Sequence, residues 1–400
     1  MSLPAFVPAL AVTLLLSWGS LFYAFTVLAP PLQADLQAAG PAVMGAYSAG
    51  LLVWALATGA IGLVLQRWGG RVVMGAGSLL AGLGFVLLSM AGSLPALYAA
   101  WAVLGLSMAL TLYEPAFAIV VQAGTADRRR VITALTLAGG LASTLFWPLT
   151  SALVQRIGWR DTALAYGLMH LLLCAPLHAA LLPARHRGAR DGAPGRPTTA
   201  AALGGAPRRA LLLLGACFVA NGLLTAALAA HMLPLLQSRG LGSGTAIVLA
   251  SCIGPMQVAG RLLELIAGHR LDARRMGLAT LALIVLALGA LALAPGWAPL
   301  CGVFVVAYGA GLGLMTIVRA TAPLALFGAE RYALLSGTLG MPALLARAAG
   351  PIGASWLLEG RGGFGTLLGA LLVLAAFGAW SFARAWAVAP PAGAAGGPHA

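Results

Sequence analysis

The chain has 400 residues, of which 61% are hydrophobic and only 8% are charged, and its mean hydropathy is +0.96. Soluble globular proteins contain roughly 45–50% apolar and about 25% charged residues, so this composition excludes a soluble enzyme, a disordered chain and a coiled coil. The formal net charge is +14, and all 23 basic residues are arginine. Most of these arginines lie in short loops between apolar segments, where positive charge sets membrane orientation. The sequence contains no basic stripe with interleaved aromatic residues, so it does not indicate nucleic-acid binding.

Apolar segments long enough to cross roughly 30 Å of hydrocarbon follow one another along the whole chain. Twelve are predicted, at 6–30, 42–65, 72–91, 96–121, 131–153, 162–182, 209–235, 244–267, 275–294, 298–320, 333–357 and 364–386. The first has no basic region before it and no clear cleavage site, so we interpret it as a retained helix and not as a signal peptide. The sequence therefore predicts an all-α membrane protein.

The polar stretch between the sixth and seventh helices is rich in Arg, Gly and Pro, which is typical of a flexible linker. It predicts an N-terminal six-helix bundle (1–183), a linker (184–207) and a C-terminal six-helix bundle with a short tail (208–400). With both termini on one side, the loops and tails on that side hold sixteen arginines and the opposite loops hold four. This asymmetry predicts cytoplasmic termini. The exclusive use of arginine is typical of a GC-rich bacterial genome, which favours the bacterial inner membrane.

The two predicted bundles repeat each other at a constant offset of 203 residues. Matching positions include Gly19 with Gly222, Pro31 with Pro234, Arg67 with Arg270, Arg71 with Arg274, Asp127 with Glu330, and Pro148 with Pro351. Two parallel six-helix repeats are typical of a transporter whose substrate site lies at the repeat interface, near the middle of the membrane.

The loop between the second and third helices resembles the signature Gly-x-x-x-Asp-Arg-x-Gly-Arg-Arg/Lys of the major facilitator superfamily. The signature is kept at Gly62, Arg67, Gly69 and Arg71, whereas Gln66 replaces its acid and Gly70 replaces one basic residue. Together with the helix number and the repeat, the resemblance covers the whole chain. It implies twelve helices in two pseudo-symmetric halves, alternating access and a functional monomer. It also assigns a gating role to Arg67 and Arg71.

Five ionisable residues lie inside predicted helices, where insertion of each costs roughly 2.5–3.5 kcal/mol. They are Glu114, Arg261, Glu264, Arg319 and Arg347, and the residues at the repeat-related positions are all uncharged. The fold itself therefore does not need these charges, which favours a functional role for them.

Arg347, near the middle of the eleventh helix, and Arg261, on the eighth, are predicted to bind an anion, because a guanidinium can donate two parallel hydrogen bonds to a carboxylate. The alternative for Arg347 is a structural ion pair between helices. Basic residues on helices eight and eleven resemble the oxalate/formate and monocarboxylate branch of the superfamily, where they hold the carboxylates of the substrate. Some members carry Lys at the second position. This resemblance favours a small organic anion as the substrate.

Two carboxylates are candidates for proton coupling. Glu264 lies one turn after Arg261 on the same helix face, so a local ion pair is the first interpretation and proton uptake is the alternative. Glu114 precedes Pro115, which is expected to kink the fourth helix. It is interpreted either as a proton or substrate site or as part of a cross-helix salt bridge. Arg319, close to the inner end of the tenth helix, is predicted to snorkel or to serve the inner gate.

Neutral side chains are expected to complete the substrate site. The candidates are Trp18 on the first helix, Tyr113 on the fourth, Asn221 on the seventh and Tyr308 on the tenth, with Phe22, Tyr23, Trp147 and His231 as further possibilities. An asparagine at mid-membrane needs a polar partner. Aromatic residues in membrane helices commonly serve packing or the interfacial belt, which is the alternative for the rings.

No Walker A loop, Gly-x-Ser-x-Gly elbow or metal-spaced cluster of His, Asp and Glu is present in the sequence. An enzyme, a cofactor and a metal site are therefore not expected, and an ion or solute gradient would drive transport. The rival prediction is an efflux pump for drugs or toxic compounds, although the stretch 139–148 matches the family's Gly-x-x-x-Gly-Pro motif poorly. A receptor that keeps the fold would need a signalling domain, which the tail after Trp386 is not expected to hold.

Overall fold

A computed structural model describes residues 6–123, 128–183, 208–267, 272–295, 297–360 and 362–388, and every regular element within them is helical. The helices are α1 (Phe6–Asp35), α2 (Gly40–Thr58, followed by the short helix Ile61–Trp68), α3 (Gly70–Ser89), α4 (Leu94–Gln122), the pair α5 and α6 (together Arg130–Leu181), α7 (Arg208–Gln237), α8 (Ser243–Glu264), α9 (Ala273–Ala292), α10 (Ala298–Phe327), α11 (Ala329–Glu359) and α12 (Gly363–Val388). Gly69, with φ 80°, makes the turn between the short helix and α3.

Ten stretches among the described residues are long and apolar enough to cross a membrane. One of them, Arg130–Leu181, is a hairpin that turns at Gly158, where φ is 78° and ψ is 170°. Thr150 Oγ1 lies 2.6 Å from Tyr166 Oη, whereas a straight helix would separate these residues by roughly 24 Å at 1.5 Å per residue. The arms before and after Gly158, α5 and α6, are therefore antiparallel. The helix α11 lies outside the ten stretches, but its 31 residues are long enough to cross. The predicted twelve crossings are confirmed.

Buried hydrophobic side chains form two clusters, one mainly from residues 7–182 and the other mainly from residues 210–385. In the first half, α1 packs closely on α5, because a methyl group added to Gly19 would meet the Phe146 ring. In the second half, α7 packs on α11, because a methyl group on Gly222 would meet the Ala343 carbonyl oxygen. The two glycines are repeat-related, so both halves use the same helix pair for a close approach. The linker prediction at 184–207 lies outside the described residues, and the domain bounds stay a prediction.

The two halves meet along α2 with α11 and along α5 with α8. The Ile352 backbone N–H donates to Ser48 Oγ at 3.2 Å, and Thr144 Oγ1 donates to the Ser251 carbonyl at 2.8 Å. These contacts join the halves on two sides and leave a central cavity between them.

Two helices lose regular geometry where they face this cavity. In α1, residues Trp18–Tyr23 form a π-helical turn, and the Ala24 N–H donates to the Gly19 carbonyl at 2.8 Å. The helix α4 breaks at Leu112, where φ is −86° and ψ is −154°. This break lies three residues before Pro115, whose missing N–H deprives the preceding turn of a hydrogen bond. Such irregular turns are frequent at functional sites and at the substrate sites of transporters.

Candidate substrate-binding site

A cavity of about 120 Å³ lies between the two halves. All six residues predicted to contact substrate line it: Trp18, Tyr113, Asn221, Arg261, Tyr308 and Arg347. They come from α1, α4, α7, α8, α10 and α11, so residues far apart in the sequence converge on one site. Their role in substrate binding stays a prediction, but their convergence places two guanidiniums, an amide and three aromatic rings around one cavity.

Arg261 is buried, with 6% of its surface exposed, and is held by backbone carbonyls. Its Nη1 donates to the Thr136 carbonyl at 2.5 Å, and its Nε lies 3.5 Å from the Gly313 carbonyl. A methyl group on Gly140 would lie 3.2 Å from Nη1, so this glycine gives the guanidinium its space. Thr136 belongs to α5 and Gly313 to α10, and Arg261 therefore connects the two halves.

The expected ion pair between Arg261 and Glu264 does not form. The ion pairs among the described residues are Arg160 with Asp35 and Arg275 with Asp272, both away from the cavity. Arg261 points between α5 and α10, whereas Glu264 is half-buried and does not line the cavity. Spacing on the helix puts the two on one face, but it does not make their side chains meet.

Arg347 and Arg319 line the cavity, and Glu114 lies beside it. The Arg347 guanidinium lies 6.0 Å from the Trp54 ring, and the Arg319 guanidinium lies 5.8 Å from the Phe218 ring. Arg347 Nε, Arg319 Nε and Nη2, and Glu114 Oε2 are buried without a hydrogen-bond partner in the described part of the chain. Glu114 is near enough to interact electrostatically with both arginines, but it makes neither the cross-helix salt bridge that was its alternative nor a 4.0 Å contact to either guanidinium.

Arg319 does not snorkel to the helix end, because its guanidinium turns inward to Phe218 and lines the cavity. The other two predicted gating residues lie elsewhere. Arg67 is exposed, and Arg71 Nε donates to the Leu182 carbonyl at 2.8 Å, a bond that joins α3 to the end of α6 within one half. The gating role of these three arginines stays a prediction.

Aromatic rings from the N-terminal half form one wall of the cavity. Trp18 contacts Tyr113 with ring centroids 4.9 Å apart, and Tyr23 contacts Trp147 at 5.5 Å. The Trp147 indole N–H donates to the Tyr23 carbonyl at 3.1 Å, which fixes the second pair. Phe22 also lines the cavity. We call these five residues the aromatic wall.

Gln257, which is not among the residues predicted from the sequence, lies one turn before Arg261 and lines the same cavity. Its side chain is 6% exposed, and its Nε2 has no hydrogen-bond partner among the described residues. A polar residue four positions before a membrane arginine shares its helix face, and this spacing was the available signal. His231 lies outside this cavity: its Nε2 donates to the Pro351 carbonyl at 3.1 Å, and it lines a second cavity of about 310 Å³.

Residues 10–341 match the family profile of the Major Facilitator Superfamily. The chain therefore belongs to that superfamily of membrane transporters, and it is a multi-pass membrane protein and not an enzyme. It is 36% identical over 190 residues to human monocarboxylate transporter 11, a match that covers 46% of this chain and 39% of the relative. The match thus spans about two fifths of that relative's length, and it agrees with the predicted monocarboxylate branch.

Solved transporter structures share the fold over nearly the whole chain. A bacterial homolog of the human lysosomal transporter Spinster, inward-facing and unoccupied, has a TM-score of 0.70 at 15% identity and covers 96% of both chains. The nucleoside transporter NupG has a TM-score of 0.74 at 12% identity and covers 96% of this chain and 98% of its own. At these identities the likeness establishes the fold alone.

Proposed function

We propose that the protein carries a small organic anion across the bacterial inner membrane by alternating access. The carboxylate of the substrate is bound by Arg261 and Arg347 in the central cavity. The observation that carries this proposal is the charge of the cavity: three guanidiniums line it, and none has an acidic partner within 4.0 Å among the described residues. Buried charges are normally paired, and a substrate carboxylate would supply the missing acceptors.

The contacts of Arg261 suggest how binding is linked to movement. Its Nη1 donates across the interface to the Thr136 carbonyl, and a bound carboxylate would compete for this donor because charge-assisted hydrogen bonds are stronger than neutral ones. Substrate binding would therefore weaken one contact between the halves. A ligand shifts a conformational equilibrium by its difference in affinity for the two states, and this competition supplies such a difference.

Glu114 is the better candidate for proton coupling. It lies at the break of α4 beside Arg347 and Arg319, whereas Glu264 does not line the cavity. An anion bound to these arginines would remove part of the positive field that stabilises the Glu114 carboxylate. Substrate and proton would then bind together, which is symport. We also propose that the transporter functions as a monomer and that both of its termini are cytoplasmic.

The test is a thermal-shift screen of the purified protein against mono- and dicarboxylates and against lipophilic cations, with Arg347→Gln alongside. A ligand that binds only the folded state raises the melting temperature. The matched control is Arg275→Gln, since this arginine is 73% exposed and pairs with Asp272 away from the cavity. We expect a carboxylate to raise the melting temperature of the wild type and of the control and to leave the melting temperature of Arg347→Gln unchanged. Stabilisation by lipophilic cations alone would replace this proposal with the efflux pump.

A further inference from the structure

We infer that the substrate is a carboxylate with an aromatic ring, and that the cavity prefers such acids to aliphatic acids of the same size. The inference rests on the proposed function, because it assigns the body of the molecule whose carboxylate the arginines bind. It comes from the way the cavity divides its chemistry between the two halves.

Repeat-related positions face the cavity from both sides but carry different side chains. Trp18, Phe22 and Tyr113 correspond to Asn221, Thr225 and Thr316 at the offset of 203, and all six residues line the cavity. The fold therefore places these positions at the site without requiring rings at any of them. Of the six aromatic rings that line the cavity, five belong to the N-terminal half and only Tyr308 belongs to the C-terminal half. Packing of a shared fold does not explain this imbalance, and recognition of a substrate does.

The rings of the aromatic wall contact one another without stacking. Trp18 meets Phe22 at an interplanar angle of 72°, and Tyr23 meets Trp147 at 81°. The nearby core contains both kinds of contact: Phe25 and Tyr47 stack at 4.1 Å with an angle of 12°, whereas Trp101 meets these two rings at 88° and 81°. Edge-to-face contacts leave ring faces of the wall uncovered by the other rings of the wall.

Tyr113 gives the wall a rigid platform. It stacks on Phe117 at 5.1 Å with an angle of 13°, and its hydroxyl donates to the Thr136 carbonyl at 3.3 Å. A methyl group on Gly139 would collide with this hydroxyl, so the glycine leaves the tyrosine its position. A fixed ring binds a second ring with little loss of conformational entropy.

The size of the cavity limits the ligand. Its volume of about 120 Å³ is of the same order as the engineered cavity of about 150 Å³ that binds benzene. One ring therefore fits against the wall, with the carboxylate directed to the guanidiniums of the opposite half. Aromatic pairs gain free energy beyond their buried area, and a saturated ring of similar size does not.

The test is isothermal titration of the purified full-length protein with benzoate, cyclohexanecarboxylate and acetate. Cyclohexanecarboxylate has the same carbon count as benzoate but no π system. We expect the wild type to bind benzoate between about twofold and tenfold more tightly than cyclohexanecarboxylate, and acetate most weakly. Trp18→Leu should abolish the preference for benzoate, and Trp18→Phe should retain it.

The matched control is Trp101→Leu. Trp101 is 1% exposed, lies in the same half and has an unpartnered indole N–H like Trp18, but it contacts Phe25 and Tyr47 and does not line the cavity. This variant should keep the preference for benzoate. Equal affinities of the wild type for benzoate and cyclohexanecarboxylate, or an equal loss in both leucine variants, would overturn the inference while carboxylate binding stands. If no carboxylate binds the wild type, the proposed function itself fails.

Discussion

The N-terminal and C-terminal halves present opposite chemistry to one cavity. The first contributes the aromatic wall and, beside the lining, one carboxylate, whereas the second contributes three guanidiniums and two amides. The positions related by repeat to Arg261, Arg319 and Arg347 are Thr58, Ala116 and Thr144. Positions that pack helices, such as Gly19 and Gly222, are the same in both halves. The comparison teaches that the repeat preserves the scaffold, and that the chemistry of the site lies at positions where the halves differ.

The largest expected effect comes from removing a charge on the cationic side. Arg261→Gln should weaken the binding of the stabilising carboxylate by about 100-fold, because hydrogen bonds to charged groups contribute about 1.5–3 kcal/mol each. Isothermal titration measures this loss, and Arg275→Gln is again the control. A loss below about threefold would mean that Arg261 serves only the contact between the halves.

The single charge on the N-terminal side can be removed in the same way. Glu114→Gln should reduce uptake driven by a proton gradient by about tenfold, since a neutral amide carries no proton. Exchange of labelled for unlabelled substrate across the liposome membrane should continue, because it needs no net proton movement. Glu264→Gln is the comparison variant: if it abolishes coupling and Glu114→Gln does not, the proton site lies at Glu264.

A smaller effect is expected where α5 meets α8. Gly140→Ala places a methyl group 3.2 Å from Arg261 Nη1, which displaces the guanidinium by a few tenths of an ångström. We expect the carboxylate affinity to fall by about fivefold, because a displaced guanidinium no longer meets the substrate carboxylate at the best distance and angle. In Gly289→Ala the added methyl group meets nothing within 4 Å, so its affinity should equal that of the wild type. Equal affinities in both variants would show that Arg261 does not depend on this space.

The smallest effect concerns Thr144, the repeat mate of Arg347. Thr144→Val removes the 2.8 Å hydrogen bond to the Ser251 carbonyl across the interface. Because a typical hydrogen bond contributes about 1 kcal/mol, the melting temperature should fall by a few degrees. The control is Thr280→Val, since Thr280 Oγ1 donates at 2.8 Å to Met276 within its own helix. A larger fall in the control would contradict the role given to Thr144.

The sequence predicted the helices and the charged site residues for the same physical reason. Apolar segments and the ionisable residues within them stand out because the membrane makes each buried charge costly. The break in α4 was predictable for a different reason, because Pro115 has no backbone N–H to donate within the helix. What the sequence could not predict is how each helix rotates and which side chains meet. For example, the sequence favoured a pair between Arg261 and Glu264, whereas the Arg261 guanidinium contacts the carbonyls of Thr136 and Gly313.

The π-helical turn of α1 also had no sequence signal. It lies in an apolar run from Trp18 to Tyr23 that would form a regular helix equally well. The turn adds one residue to a helical turn and so changes the direction of the side chains that follow it. The place of Tyr23 in the aromatic wall depends on that backbone geometry, which only the packed structure defines.

The most direct test of carboxylate transport is uptake of labelled benzoate into proteoliposomes under a proton gradient. Wild-type protein should give saturable uptake. The unlabelled carboxylates found by thermal shift should inhibit this uptake, and Arg275→Gln should behave like the wild type. Arg347→Gln, reconstituted in equal amount, should give uptake no higher than empty liposomes. Saturable uptake by Arg347→Gln at the wild-type rate would contradict the central claim, because the carboxylate would then cross without the guanidinium assigned to bind it.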